Sequence, residues 1–378
     1  MDLKQIAHQD ATTRTYLGSP SILRIPADAP VRAGEIVVTH DHFGPGCPRN
    51  HEDEEHLTSV YRSDDDGRTW RRVTHIANAF WSNLFWHRGA LYLLGCSQQY
   101  GSIVIRRSDD GADTWTHPAD AGSGLLFAGG PRREPPNYHC APMPVLKFDG
   151  RLYRAFEDCD PCVWGTGFQS AVISADAGAD LLDAGSWRMS NLLRFDPAWA
   201  PEAWRAERPG WLEGNVVQAP DGGLVNVLRV NSTPRPDVAA IVAIKDEGAQ
   251  VCFDPAEDFI DFPGGMSKFT IRHDSQTGLY ATLSNNNTDP SRASQRNVLS
   301  LHVSEDLLNW RRLMTLLRDD LAHSWGDSLR MTGFQYPDWQ FDGEAIIAAV
   351  RTAYRGAHNY HDANRVTFHR IDAWRDLL

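Results

Sequence analysis

Ser63-Asp64-Asp65-Asp66-Gly67-Arg68-Thr69-Trp70 constrains this chain more than any other stretch, because it returns in altered copies. Ser108-Asp109-Asp110-Gly111-Ala112-Asp113-Thr114-Trp115 keeps the Ser, the Asp at the third place and the closing Thr-Trp, with its Gly displaced by one position. Ser174-Ala175-Asp176-Ala177-Gly178 opens the same way and reaches Trp187 after an insertion; Ser304-Glu305-Asp306 closes on Trp310, one residue short. Each copy follows an apolar run: Thr58–Tyr61, Ser102–Ile105, Ala171–Ile173 and Val298–Leu301. A strand, a turn whose Ser and Asp side chains bond their own backbone, and a Trp opening the next strand make a compact hairpin. A hairpin that recurs along the chain marks an all-β repeat protein.

A second pattern fills the intervals: strand, Gly turn, strand. Ser82–Gly95 turns at Arg88-Gly89, Pro144–Phe156 at Asp149-Gly150, and Asn215–Val230 at Asp221-Gly222-Gly223. Lys268–Leu283 turns at Thr277-Gly278 and Trp339–Arg351 at Asp342-Gly343, while a looser copy runs from Ser21–Pro26 to Glu35–His40. The units number six, each of roughly four strands, which predicts one β-propeller domain over residues 1–378. The ends are expected to meet, Arg365–His369 completing a blade with N-terminal strands. Residues 1–20 and 116–140 leave room for a seventh unit, and short helical turns are expected at Asp180–Leu182 and Ala198–Ala206.

Composition narrows the partners. A formal charge of -12 argues against nucleic acid, whose phosphates call for a basic face. It leaves open an anionic substrate, since a local Arg/His pocket can outweigh the net charge. No apolar run approaches the ~20 residues that span a bilayer. Met1–Gln5 lacks the apolar stretch of a signal peptide, so the sequence as it stands reads as cytoplasmic, or as secreted or periplasmic if a leader was removed. Six Cys are too sparse for a disulfide framework, and Cys159-Asp160-Pro161-Cys162 offers only two of the four ligands zinc needs.

In a propeller the innermost strands line the central channel, so residues at the start of a unit or the end of its second strand are site candidates. These are His40 and His42, Trp81 and Asn83, Tyr138 and His139, Arg154, Glu213 and Asn215, Lys268, Gln335-Tyr336, Arg351 and His358. Trp70, Trp115 and Trp310 read as core, whereas Trp81 precedes a channel strand and suits stacking on a sugar. His40 and His42 point to one face of a strand, a spacing that permits chelation, but no third ligand can be assigned. The chemistry needs no cofactor, a structural metal ion is compatible with the sequence, and the identity of any metal stays unknown.

At these residues the chain resembles the L-rhamnose-α-1,4-D-glucuronate lyases, a sialidase-like propeller family with Asp-box repeats related to ulvan lyases and propeller α-L-rhamnosidases. The resemblance rests on Gly18–Ile22, Thr39-His40-Asp41-His42-Phe43-Gly44-Pro45, Tyr138–Pro142 and Phe334–Gly343. It extends through Arg351–Tyr354 and His358–Asn364, and so covers nearly the whole chain. The Asp-rich turns alone say little about function, since sialidases and many non-enzymes share them. The resemblance implies seven blades rather than six, a uronate-containing oligosaccharide or polysaccharide as partner, and β-elimination that leaves a 4,5-unsaturated glucuronate and free rhamnose. Removal of a uronate's C5 proton needs the carboxylate neutralised and the enolate-like charge stabilised. It also needs a base near neutral pKa and an acid for the departing O4. The resemblance assigns these roles to His40 first, then His139 with Tyr138, and gives Arg154 or Arg351 the carboxylate. His42, Trp81, Asn83, Glu213, Asn215, Lys268 and His358 become substrate-binding residues.

The alternative is a sialidase-like or α-L-rhamnosidase glycoside hydrolase. Leu23-Arg24-Ile25-Pro26 resembles the Arg-Ile-Pro signature of sialidases, with Arg24 and two of Arg229, Arg296 and Arg351 clamping a carboxylate. Sialidases use a Tyr nucleophile assisted by a Glu, with an Asp acid. Glu213 suits the Glu role, and no Asp stands out for the acid.

Overall fold

The computed structural model describes all residues except 2, 48–55, 132–133, 203–207, 233–234 and 322–323. Six antiparallel sheets follow one another along the chain and form a six-bladed β-propeller. The six-unit count stands, and the seven blades implied by the resemblance are corrected. Numbered in chain order, the innermost strands of blades I and II are Tyr16–Arg24 and Phe80–His87. In blade III the inner edge is split between Tyr138–His139 and Leu146–Phe148. Blades IV, V and VI begin with Gly210–Gln218, Thr270–Asp274 and Gly333–Asp342. The segments with room for a seventh unit are spent elsewhere: Lys4–His8 pairs with Arg365–Ile371 as the outer strand of blade VI, closing the ring, and Leu125–Phe127 is the outer strand of blade II.

Apolar layers seal each junction. Phe85, Leu94 and Ile105 of blade II meet Leu152, Phe156 and Ile173 of blade III, and corresponding clusters fill the other five junctions. Because blades are covered on both faces, their middle strands are buried throughout, as in Ala90–Cys96 and Ala345–Ala353. This is why they read as continuous apolar runs rather than alternating ones.

The Asp turns lie at the end of the third strand of their blades, and the first copy shows how they work. Ser63 Oγ donates to Asp65 Oδ1 at 2.8 Å and accepts from Gly67 N at 2.8 Å; Thr69 N and Oγ1 donate to the two Asp65 oxygens at 2.9 and 2.7 Å. These bonds hold Asp65 down to about 2. Trp70, Trp115, Trp187 and Trp310 then pack into the layer shared with the preceding blade. Burying a Trp removes ~150–250 Å² from water, an upper bound of roughly 4–6 kcal/mol at 25 cal/mol per Å².

Helix is scarce. Three-residue 3-10 turns sit at Ala184–Ser186, past the expected Asp180–Leu182, and at Pro197–Trp199, overlapping only the start of the expected Ala198–Ala206, of which residues 203–206 lie outside the described ones. A short α-helix, Trp325–Met331, capped by Ser324, had no sequence signal assigned to it. No helix among the described residues is long and apolar enough to cross a membrane.

Candidate active site

Four of the six inner strands break register at one equivalent place. Between Leu17 and Pro20, Phe80 and Asn83, Leu212 and Asn215, and Gln335 and Asp338, three steps on the inner strand oppose two on its neighbour. Each is a β-bulge, a device that turns a side chain out of the sheet plane. The first bulge residues are Gly18, Trp81, Glu213 and Tyr336, and the last three have φ of 48°, 59° and 50°. Positive φ is costly for non-glycine residues and gathers at functional sites. The bulges lie where the inner strands begin, on the face opposite the Asp turns.

Two of these residues meet across the channel. Tyr336 Oη of blade VI donates to Glu213 Oε1 of blade IV at 3.0 Å. Glu213 Oε2 accepts from Arg229 Nη1 at 2.7 Å. Burial pushes the Glu213 carboxyl up, but Arg229, His139 and the Tyr336 hydroxyl together outweigh it and hold the group below the ordinary glutamate range. The Tyr336 ring is itself flanked by two guanidinium groups, Arg351 at 5.0 Å and Arg296 at 5.6 Å.

The three arginines are under-used. Nε of Arg229, of Arg296 and of Arg351 is buried without a hydrogen-bond partner. Arg296 otherwise donates to Gln335 Oε1, and Arg351 donates to the His361 carbonyl at 2.6 Å while stacking 4.5 Å over Phe43. Burial lowers Arg351 to about 10. Of the three, only Arg229 has a bonded carboxylate among the described residues, so the cluster carries excess positive charge in a protein whose formal net charge is -12. Buried, unpaired cations are costly unless an anion completes them.

Asp41 occupies the corresponding corner in blade I. A Cβ built on Gly18 would lie 2.5 Å from Asp41 Cγ, so the glycine bulge leaves space for the carboxyl group of the second strand. Asp41 Oδ1 accepts from Ser19 N at 2.7 Å. Burial raises the group to about 6, against the pull of Arg351.

On the far side of Glu213 stands His139, 4% exposed, between Trp81, Phe168 and Tyr100 at ring distances of 4.4, 4.6 and 6.0 Å. Its Nδ1 is 2.7 Å from Glu157 Oε2, and Glu157 Oε1 accepts from Gly214 N at 3.3 Å, inside the Glu213 bulge. Beneath Tyr336, buried Lys268 donates to Pro337 O and Thr270 Oγ1, both at 2.6 Å; burial lowers it to about 8.

The channel mouth thus gathers Trp81, His139, Glu213, Tyr336 and Arg351 of the expected residues, with Lys268 as a support below. Others point elsewhere. His40 is sealed on the blade I–VI side, stacked 5.5 Å from Tyr61, with Nδ1 on the Asp41 carbonyl at 3.0 Å; burial lowers it to about 4. His42 meets Ser59 Oγ at 2.7 Å, and that hydroxyl meets His75 Nδ1 at 2.9 Å, within blade I. Tyr138 belongs to the apolar layer between blades II and III. Arg154 is buried and spends its guanidinium on Asn83 Oδ1 at 2.8 Å and on the carbonyls of Ala155 and Ala141. Asn215 ties blade IV to Phe269 O and Ile271 N of blade V. His358 sits on the rim, against Tyr16 and Asp362. Arg24 lies at the other end of its strand, paired with Asp342 at 2.6 Å, so it cannot join the cluster. The three arginines grouped around Tyr336 and Glu213 are Arg229, Arg296 and Arg351.

A cavity of about 620 Å³ opens at that opposite end, among Phe148, Gln218, Arg272 and Phe341, remote from the bulges. Among the described residues no group of three or more His, Cys, Asp or Glu is placed to hold a metal ion. Cys159 and Cys162 are both unbridged.

No protein-family model matches the chain, and no curated protein matches it. Solved structures match in fold. Penicillium chrysogenum α-L-arabinanase, solved with arabinobiose, superposes with TM-score 0.56 at 15% identity, covering 100% of this chain and 99% of that one. The family GH93 α-L-arabinofuranosidase of Fusarium graminearum gives 0.59 at 11% identity over 98% of both chains. Trypanosoma rangeli sialidase with sialic acid gives 0.55 at 13%, covering 99% of this chain and 56% of that one. At such identities the likeness is one of fold.

Proposed function

We propose that this protein is a retaining glycoside hydrolase acting on a sugar whose carboxylate is attached at or beside the reacting carbon. The observation that carries the reading is the Tyr336–Glu213 hydrogen bond of 3.0 Å enclosed by Arg229, Arg296 and Arg351. The arginines surround the tyrosine itself, so a carboxylate bound to them lies next to the atom that Tyr336 attacks. A carboxylate nucleophile would repel such a substrate. A neutral tyrosine whose proton can pass to a glutamate avoids the repulsion, and sialidases use that arrangement.

In the first step Tyr336 Oη bonds to the anomeric carbon and its proton passes to Glu213. The glycosidic C–O bond breaks, and the departing oxygen takes the Asp41 proton. In the second step water attacks the same carbon and returns a proton to Asp41. The Tyr336 oxygen leaves and recovers its proton from Glu213. Asp41, raised to about 6 by burial, is suited to exchange a proton near neutral pH. The fold likeness to sugar-cleaving propellers supports this class without fixing the substrate.

Elimination at a rhamnosyl-glucuronate linkage remains a second reading, favoured by one observation, the imidazole of His139 held by a buried carboxylate like a base. One experiment separates the two. The protein is incubated with a fluorogenic ulosonic-acid glycoside such as a sialoside, and separately with a rhamnosyl-glucuronate oligosaccharide. The hydrolase reading expects release of the aglycone with retained configuration and no unsaturated product. Growth of the ultraviolet band of a 4,5-unsaturated uronate would establish the lyase instead.

A further inference from the structure

We propose that His139, fixed by Glu157, reads a hydroxyl on the edge of the sugar opposite its carboxylate, and so sets which carboxylated glycosides the site accepts. The inference rests on the hydrolase reading and adds a specificity determinant to it.

The placement follows from the ring of blades. The arginines come from blades IV, V and VI, the Tyr336–Glu213 bridge spans blades IV and VI, and His139 and Trp81 stand on blades III and II. A sugar lying over the bridge with its carboxylate on the arginines turns its other edge to His139. That histidine is rigid. Trp81 meets it edge-on at 4.4 Å, Phe168 closes in at 4.6 Å, and Glu157 holds Nδ1 at 2.7 Å. Glu157 is an acceptor and is 1% exposed, so it selects the tautomer with the proton on Nδ1. In the neutral imidazole the lone pair is then on Nε2, and in the imidazolium Nε2 carries a proton that a hydroxyl oxygen can accept. No partner among the described residues bonds Nε2, yet it is not sealed like His40 Nε2. A fixed ring nitrogen left unbonded beside Glu213 calls for a polar partner, and on a sugar that partner is a hydroxyl, which serves as donor or acceptor.

Glu157 also holds the Gly214 amide, next to Glu213. It is therefore a positioning residue for the reading histidine and for the bulge that presents Glu213. A site built to bond a hydroxyl rejects the analogue that lacks it, because the buried ring nitrogen is left unpaired.

The test measures kcat/KM for a methylumbelliferyl sialoside and its monodeoxy analogues with wild type, His139→Phe and Glu157→Gln. Wild type should lose about 10- to 100-fold on one deoxy analogue and much less on the others. H139F should lose a similar factor on the parent, mostly in KM, and nothing further on that analogue. E157Q should keep part of the discrimination. A merely structural histidine would lower all substrates alike, leaving the wild-type ratio between parent and analogue intact, and that result overturns the inference while sparing the hydrolase. Complete loss of turnover in H139F at saturating substrate, in a folded protein, would make His139 a proton-transfer group and also reject it. A wild type inert on the sialoside but forming unsaturated uronate would reject the hydrolase reading, and the inference with it.

Discussion

The Asp turns and the inner-strand bulges both recur from blade to blade, both carry carboxylates, and they behave in opposite ways. In the turns Asp65 and Asp306 bond their own backbone within a few residues, and those bonds lower both to about 2. At the bulges polar groups reach across blades: Tyr336 to Glu213, Asp41 towards Arg351. There burial raises Asp41 to about 6, and three arginines keep an unsatisfied Nε. A turn that satisfies itself is scaffold. A turn that leaves charge wanting a partner is where a ligand belongs.

Breaking the bulge side should have the largest effect. Tyr336→Phe is expected to lower kcat by at least ~10³-fold on the cleaved glycoside while the melting temperature stays near wild type, since the ring remains. Arg351→Met should come next, with about 10- to 100-fold weaker substrate binding. Its thermal stability should be unchanged or higher, because an under-paired buried cation is removed. Titration calorimetry and a melting curve on the same sample check both halves.

Asp41→Asn sharpens the comparison through pH. As an acid with a value of about 6, Asp41 must be protonated, so wild-type turnover should fall as pH rises through 6. The variant should lose that alkaline limb, and its rate should drop about 10²-fold with poor leaving groups and less with good ones. On the scaffold side, Asp65→Ala should lower the melting temperature and leave kcat/KM unchanged at a temperature where the protein is folded.

The smallest effect concerns histidines outside the site. Burial lowers His302 and His369 to about 4 each. Between that value and the ordinary 6.5 these two groups bind more protons in the unfolded chain, so their contribution to stability should decline as pH falls from 6.5 towards 4, below which the lowered carboxylates Asp65 and Asp306 take over the loss. Denaturant midpoints across that range check the slope.

The propeller was legible because its turns are local: Ser63, Asp65 and Trp70 state their hairpin within eight residues. The six-unit count came from the strand–Gly turn–strand copies between those turns, while the resemblance pointed to seven. The site was only partly legible. Glu213, Gln335-Tyr336 and Arg351 stood out because they open units or end second strands, and Arg296 was one of the arginines offered to a carboxylate clamp. A bulge, however, depends on strand register, and nothing local announces positive φ at Trp81, Glu213 or Tyr336. Asp41 was hidden by its neighbours. His40 and His42 drew attention as a pair on one face, but that face packs within blade I and towards blade VI. The alternate residue is the one beside Gly18 and within reach of the Arg351 field.

Covalent trapping distinguishes a tyrosine nucleophile from every other mechanism. A fluorinated ulosonyl fluoride, which forms the glycosyl-enzyme and releases it slowly, is incubated with the protein, followed by digestion and mass spectrometry. One added glycosyl mass is expected on the peptide that contains Tyr336, and none in Tyr336→Phe. A label on a carboxylate elsewhere, or no label from a protein that converts rhamnosyl-glucuronate to an unsaturated product, would contradict it.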